Sequence, residues 1–155
     1  MQSGFRIFHV EDNPADAEIL RIALAQTGIV CEITVFESGV EVLSHLDSLS
    51  RTETAAPEAP PVPACDLLLL DMNLPRMNGF EVLESIRSKK AFGDLHIIVM
   101  SGSRNPEEID RCMRLGASGY LPKGSRIEET FGVAEQLAVL LKEMKSAGTS
   151  RAADI

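Results

Sequence analysis

The sequence predicts an α/β fold in which a parallel β-sheet is covered by helices on both faces. Four consecutive leucines at residues 67–70 are typical of a strand that is buried on both faces, as in parallel sheets. This run ends in Asp71, and turn residues follow it. Strand-like and helix-like segments also alternate along the chain in five β/α repeats. Because ligands bind at the carboxyl ends of the strands in such sheets, Asp71 is expected at the functional edge.

The first two repeats have clear local boundaries. Residues 5–10 are strand-like, and Asn13 and Pro14 then suit the cap and the first position of a helix that ends at Gly28. The second strand is predicted over about residues 32–36. The helix after this strand is predicted to begin at Ser38.

The later repeats follow a stretch that contains four prolines, residues 51–64. This composition favours a mobile, extended loop, which is either a surface insertion or a docking segment. The strand that ends at Asp71 and the β-rich segments before Ser101 and Lys123 complete the predicted sheet. Helices are predicted over residues 79–89, from residue 106 and over residues 126–144.

Four strand ends carry polar side chains whose chemistry is complementary. They are Glu11 with Asp12, then Asp71, Ser101 and Lys123. Each alone has an ordinary explanation as a turn, cap or surface residue, or as an acid near a helix N-terminus. Two adjacent carboxylates repel each other unless a cation joins them, and hard oxygen ligands suit Mg²⁺ or Mn²⁺. The set therefore suits an anionic phosphoryl group bound with a divalent metal, with Asp71 as the nucleophile.

The chain resembles a receiver domain of a two-component response regulator over about residues 5–145. The strand-end residues stand in the order of that family, together with Pro75, Gly79 and Tyr120. Serine and lysine follow the aspartate at the family's spacings of thirty and a further twenty-two residues. The resemblance implies a flavodoxin-like, doubly wound (βα)5 fold with the strand order 2-1-3-4-5.

The resemblance also implies the chemistry of the site. A sensor histidine kinase would pass a phosphoryl group to Asp71. The metal ion would be held by Asp12, Asp71 and the backbone carbonyl of Asn73, with Glu11 acting through a bound water. The metal is expected to be Mg²⁺ or Mn²⁺.

Three further residues have implied roles in signalling. Ser101 would hydrogen-bond one phosphoryl oxygen, Lys123 would pair with another, and Tyr120 would be the aromatic switch that follows Ser101. The sequence departs from the family at position 101, where it has serine instead of the commoner threonine. It also has Pro122 before the lysine and Gly124 after it, whereas the family commonly has proline after the lysine, often with a cis bond.

Length and composition restrict the possible functions. The 155 residues are predicted to form a single receiver domain with its core at about 5–145, a flexible tail at 146–155 and no separate output domain. A net charge of −8 argues against nucleic-acid binding. The three cysteines have no metal or redox spacing, so buried, reduced thiols are expected. No signal peptide, transmembrane run or lipidation motif is found, which predicts a cytoplasmic location without membrane contact.

Three functions remain open at this point. The leading interpretation is a stand-alone phosphorylation switch that signals by protein contact and catalyses only its own phosphoryl transfer and dephosphorylation. A metal-dependent phosphohydrolase of the haloacid dehalogenase type usually has a second Asp two residues after the nucleophile, where this chain has Asn73. A phosphorylation-independent pseudo-receiver typically lacks acidic-pocket residues or the lysine, and this chain keeps them.

Two predictions concern partners. The proline-rich stretch and residues 89–102 resemble single-domain regulators that pair with phytochrome-type histidine kinases. In the last helix, apolar side chains cover about 180° of the surface, more than an ordinary core-facing stripe. They are Ile127, Phe131, Val133, Ala134, Leu137, Ala138, Leu140, Leu141 and Met144. This arc predicts a homodimer or partner surface, with burial inside the domain as the alternative.

Overall fold

The computed structural model describes residues 4–55, 65–124 and 126–153, with the side chains of residues 50–55 and 147–153 left out. The strands are β1 (Phe5–Val10), β2 (Cys31–Phe36), β3 (Leu67–Asp71), β4 (Ile97–Ser101) and β5 (Gly119–Pro122). The helices are α1 (Pro14–Gln26), α2 (Gly39–Ala55), α3 (Gly79–Arg87), α4 (Pro106–Arg114) and α5 (Ile127–Ala153), with a 3₁₀ turn at Lys90–Phe92. All strand pairs are parallel in the order β2-β1-β3-β4-β5, which confirms the predicted flavodoxin-like fold.

The leucine run in β3 is buried on both faces, as predicted. Leu68 and Leu70 belong to the core formed with α2 and α3, whereas Leu67 and Leu69 belong to the core formed with α1 and α5. All four are 0% exposed. Because both faces are apolar, alternation alone does not fix the register of this strand. The charge of Asp71 fixes the register, because a shift of β3 that moved Asp71 into either core would bury this charge without its partners.

Asparagine caps fix the helix starts at the carboxyl edge of the sheet. The side-chain oxygens of Asn13, Asn78 and Asn105 each accept a backbone N–H from two or three residues further along the chain. Pro14 and Pro106 occupy the first positions of their helices, where no N–H is needed. These caps hold the short loops that carry the polar strand-end residues.

Two glycines at this edge are required by close approach. A Cβ at Gly79 would lie 2.4 Å from Sδ and 2.8 Å from Cα of Met72, directly after Asp71. A Cβ at Gly124 would lie 2.1 Å from Cβ of Glu129. Limited space beside α5 therefore explains Gly124.

Two helices extend beyond their predicted ends. α2 reaches Ala55, so the predicted loop over 51–64 was wrong for residues 51–55, because no proline lies between Gly39 and Ala55 to break the helix. Residues 56–64 lie outside the described part of the chain. α5 reaches Ala153, so the predicted tail over 146–155 was wrong as far as residue 153. This segment holds one glycine and no proline, and one glycine costs a helix only about 1 kcal/mol.

The apolar arc of α5 is mostly buried inside the domain. Val133, Ala134, Leu137 and Leu141 belong to the core shared with α1 and the sheet. Phe131, Leu140 and Met144 are partly buried against the same core. The prediction of an exposed apolar strip was therefore wrong. Because α5 packs against α1 as well as against the sheet, a wider part of its surface is buried.

Little apolar surface of α5 remains for a partner. Among its described side chains, the exposed large hydrophobic ones are Ile127 and Val139. These two positions are about 120° apart around a helix and form no stripe. Homodimerisation itself stays a prediction, now without the strip that suggested it.

Two further expectations concern the cysteines and membranes. Cys65 and Cys112 are buried, Cys31 is half-buried in β2, and all three are free. Within the described ranges, no helix has the length and apolar character needed to cross a membrane.

Replacing Leu137 should measure how much the α5 packing contributes to stability. Leu137 is 0% exposed, so Leu137→Ala is expected to lower the free energy of unfolding by about 2–5 kcal/mol. Val139 on the same helix is 55% exposed, and Val139→Ala should change it by no more than about 0.5 kcal/mol. Urea denaturation of both variants measures the difference, and equal losses would contradict the described packing.

Candidate functional site

Three carboxylates meet at the carboxyl edge of the sheet. Glu11 and Asp12 follow β1, and Asp71 ends β3. One carboxylate oxygen from each residue lies within 4.8 Å of the other two. Glu11 and Asp71 are only 3% and 2% exposed, whereas Asp12 is open to solvent. Hard oxygen donors at this spacing fit a divalent cation such as Mg²⁺ or Mn²⁺.

Lys123 brings the compensating positive charge to this group. It follows β5, and its backbone N–H donates to the carbonyl of Ser101 at 2.7 Å, which ties it to the end of β4. Its Nζ donates to Oε1 of Glu11 at 2.7 Å and to Oδ2 of Asp71 at 3.2 Å. The peptide bonds of the described residues, including those beside Lys123, are all trans. Lys123 is thus in direct contact with two of the three predicted acids, Glu11 and Asp71.

The backbone orients the two buried carboxylates towards Lys123. The N–H of Asn13 donates to Oε2 of Glu11 at 3.3 Å, and the N–H of Asn73 donates to Oδ1 of Asp71 at 3.1 Å. In each carboxylate, one oxygen is therefore held by the loop that follows its strand and the other by the lysine. Asn73 thus contacts Asp71 through its backbone N–H, and the role of its carbonyl as a metal ligand stays a prediction.

Burial and charge shift the pKa values of this cluster. Burial is the main cause that raises the pKa of Glu11 to about 7, and the neighbouring Asp71 adds to it while Lys123 opposes it. Burial lowers the pKa of Lys123, but its hydrogen bond to Glu11 and the charge of Asp71 outweigh this and raise it above its ordinary value. The cluster is thus short of positive charge, a condition that favours a bound cation.

Ser101 and Tyr120 lie on the other side of the acidic group. Ser101 is 5% exposed, and its Oγ accepts the N–H of Ser103 at 3.1 Å. The Tyr120 hydroxyl donates to the carbonyl of the same Ser103. Both residues line a cavity of about 330 Å³ that also contacts Met72 and Asn73, the residues after Asp71. The two predicted switch residues are therefore joined through one loop.

Two residues at the site were missed in the sequence. Asp16 in α1 places Oδ2 at 3.4 Å from Lys123 Nζ, and its only signal was its position in the first turn of a helix that starts at the site. His9 is 3% exposed, and burial followed by the charge of Lys123 lowers its pKa to about 4. Its Nδ1 has no hydrogen-bond partner within the described part of the chain. A histidine one residue before the end of a strand gives no sequence signal of such burial.

Replacing Lys123 should make stability more dependent on pH in the absence of divalent cations. Lys123→Met removes an ammonium that lowers the pKa of Glu11, so this pKa should rise further above its unfolded value of 4.5. A carboxyl group with a raised folded-state pKa loses stabilisation as pH rises, because the folded state must then release its proton. The destabilisation relative to wild type should be roughly 1–2 kcal/mol larger at pH 8 than at pH 5.

Denaturation in EDTA at the two pH values measures this difference. Lys89→Met is the matched control, since Lys89 pairs with Asp47 away from the site. The same pH dependence in both variants would show that the Lys123 contacts are not its cause.

Comparison with known proteins identifies the family of the chain. The sequence profile of the response regulator receiver domain matches residues 7–135. Response regulator Rcp1 of Synechocystis sp. is 26% identical over 129 residues, covering 83% of this chain and 83% of Rcp1. Two-component response regulator ARR9 of Arabidopsis thaliana is 26% identical over 135 residues, and the chain spans only 57% of its length.

Solved structures show the same fold. The phosphorylated cyanobacterial phytochrome response regulator RcpA is 30% identical with a TM-score of 0.70, and the match covers 87% of this chain and 91% of RcpA. The Mn²⁺-bound form of Rcp1 is 25% identical with a TM-score of 0.71, covering 86% of this chain and 91% of Rcp1. The profile match extends over the whole carboxylate and lysine cluster, so the chain belongs to the response regulator receiver domain family.

Proposed function

We propose that this chain is a stand-alone phosphorylation switch that accepts a phosphoryl group from a sensor histidine kinase on Asp71 and signals by protein contact. The observation that carries this proposal is the contact of Lys123 Nζ with both Asp71 and Glu11 inside a group of three carboxylates. A buried nucleophilic carboxylate beside an ammonium and a cation-binding group is suited to receive an anionic phosphoryl group.

The proposed transfer is a displacement at phosphorus. One carboxylate oxygen of Asp71 forms a P–O bond while the P–N bond to the kinase histidine breaks. The histidine nitrogen keeps the electron pair of that bond. The product is an acyl phosphate on Asp71, and Lys123 pairs with one of its oxygens.

The proposed cation is Mg²⁺ or Mn²⁺. Asp12, Asp71 and the backbone carbonyl of Asn73 would hold it, and Glu11 would act through a water. When bound, the cation supplies positive charge that stabilises the charge developing on the phosphoryl group. The Mn²⁺-bound form of the relative Rcp1 supports this choice of cation.

We propose that phosphorylation is signalled through a conformational change that passes from Ser101 to Tyr120. The Ser101 hydroxyl would leave the N–H of Ser103 and bond a phosphoryl oxygen. Since the carbonyl of Ser103 also accepts the Tyr120 hydroxyl, such a movement would alter the surroundings of the ring. The cavity of about 330 Å³ beside both residues provides room for the change.

The proposed partner is a phytochrome-type histidine kinase in the cytoplasm. Two solved relatives support the kinase type: the cyanobacterial phytochrome response regulator RcpA, and the bacteriophytochrome response regulator AtBRR, which is 27% identical with a TM-score of 0.63. Three free cysteines are consistent with a reducing compartment. A homodimer is not part of this proposal, because the apolar arc of α5 is mostly buried.

The alternatives have less support. A phosphohydrolase lacks its usual general acid, since Asn73 stands in that position. A pseudo-receiver is disfavoured because Glu11, Asp71 and Lys123 are present and in contact. We therefore propose no turnover of free substrates beyond the protein's own phosphoryl transfer and dephosphorylation.

Asp71→Asn should abolish phosphorylation, because the amide is a poor nucleophile. Incubation with acetyl phosphate and Mg²⁺, followed by intact-mass measurement, should give a phosphorylated wild type and an unmodified variant. Asp110→Asn on α4, which alters an exposed acid, should behave as wild type. Equal modification of the wild type and Asp71→Asn would refute the assignment of the acceptor.

Asp12→Asn should weaken Mg²⁺ binding by at least about tenfold and more than Glu11→Gln does, because Asp12 would ligate directly and Glu11 through water. The chain has one tyrosine and no tryptophan, so the fluorescence of Tyr120 is a specific probe for titration. A larger loss in Glu11→Gln would reverse the proposed roles of the two acids.

A further inference from the structure

Asp16 gives Lys123 a third carboxylate partner. Its Oδ2 lies 3.4 Å from Lys123 Nζ, and the side chains are 42% and 26% exposed. Asp16 stands in the first turn of α1, where its backbone N–H donates to the side chain of the cap Asn13 at 3.4 Å. The helix dipole favours an acid at this position, but it does not require contact with a lysine from the other end of the chain.

Asp16 is separate from the carboxylates that fit a cation. Within the described residues, that group consists of Glu11, Asp12 and Asp71. Two partners of Lys123, Glu11 and Asp71, therefore belong to the group that fits a cation. The third partner, Asp16, does not belong to that group. When a cation compensates Glu11 and Asp71, Asp16 is the carboxylate that still attracts the ammonium.

Asp16 is the weakest of the three carboxylate contacts of the lysine. Glu11 and Asp71 accept hydrogen bonds from Nζ at 2.7 and 3.2 Å, whereas Asp16 forms an ion pair with it at 3.4 Å. A phosphoryl oxygen has to compete with these carboxylates for the charge of the ammonium group. Asp16 has the longest contact, and its exposure lets water replace the lysine.

The surroundings leave room for this exchange. Asp16 and Lys123 line a cavity of about 40 Å³ together with His9, Glu11 and Thr130. The ammonium can therefore shift without displacing the packed side chains of α1 or α5.

We propose that Asp16 is a positioning residue that competes with the phosphoryl group for Lys123 and so weakens the phosphorylated state. The inference rests on the proposed function. The hold of Asp16 on Lys123 and its negative charge both oppose an added anion on Asp71. Because the contact is partly exposed, its removal should strengthen anion binding by about two- to fivefold.

The test uses beryllofluoride as the phosphoryl analogue at saturating Mg²⁺. Its apparent affinity is measured on the full chain by ¹⁹F NMR for wild type, Asp16→Asn and Asp16→Glu. Glu18→Gln is the matched control, because it removes one acid from the same helix that pairs with Arg21 rather than with Lys123. The rate at which the protein loses its phosphoryl group after reaction with acetyl phosphate, followed by intact mass, gives a second, kinetic measurement.

Asp16→Asn should bind beryllofluoride about two- to fivefold more tightly than wild type, and after reaction with acetyl phosphate it should lose its phosphoryl group more slowly. Asp16→Glu should restore much of the wild-type behaviour, and Glu18→Gln should match wild type. The gain in affinity caused by Asp16→Asn should be smaller when Lys123 is replaced by Met. If Asp16→Asn equals Glu18→Gln or binds more weakly than wild type, the inference is overturned. A wild type that binds no beryllofluoride at all would overturn the proposed function and this inference with it.

Discussion

The ion pairs of Lys123 with Glu11 and Asp71 are the contact on which the arrangement of the site depends. Two carboxylates that are 3% and 2% exposed sit side by side at one edge of the sheet. Burying such charges without a partner is costly, and mutual repulsion adds to the cost. The lysine reaches both from the end of β5, over sequence separations of 112 and 52 residues. It therefore constrains the ends of β1, β3 and β5 together.

The same contacts prepare the site for chemistry. Each buried carboxylate is held at one oxygen by a backbone N–H and at the other by Lys123. A group arranged in this way needs little reorganisation when a cation and a phosphoryl group enter. The charges that the protein must neutralise in order to fold are thus those that the proposed phosphoryl transfer would use.

The two faces of the sheet supply different parts of the site. Asp16 and His9 lie with α1 on one side, near Lys123. Ser101 and Tyr120 lie beside the cavity on the other side, between the ends of β3 and β4 and the start of α4. The acidic group stands between them, so a change in its charge can act on the lysine and on the serine loop at once. This geometry suits a switch, because one local event reaches two separately packed regions.

The sequence alone determined the features that depend on local patterns. The leucine run, the cap at Asn13 with Pro14 and the polar residue at each strand end predicted the parallel sheet, the start of the first helix and the members Glu11, Asp12, Asp71, Ser101 and Lys123 of the candidate site. Periodicity and capping act over a few residues, so they can be recognised without knowing the packing.

Only the tertiary structure decided what these elements contact. The burial of the α5 arc depends on how much of it α1 covers, and no pattern within α5 encodes that area. The contact of Asp16 with Lys123 and the burial of His9 arise from side chains far apart in the chain. Such contacts are set by how the helices pack on the sheet, because the free energy of a charge or an imidazole depends on the groups that surround it in three dimensions.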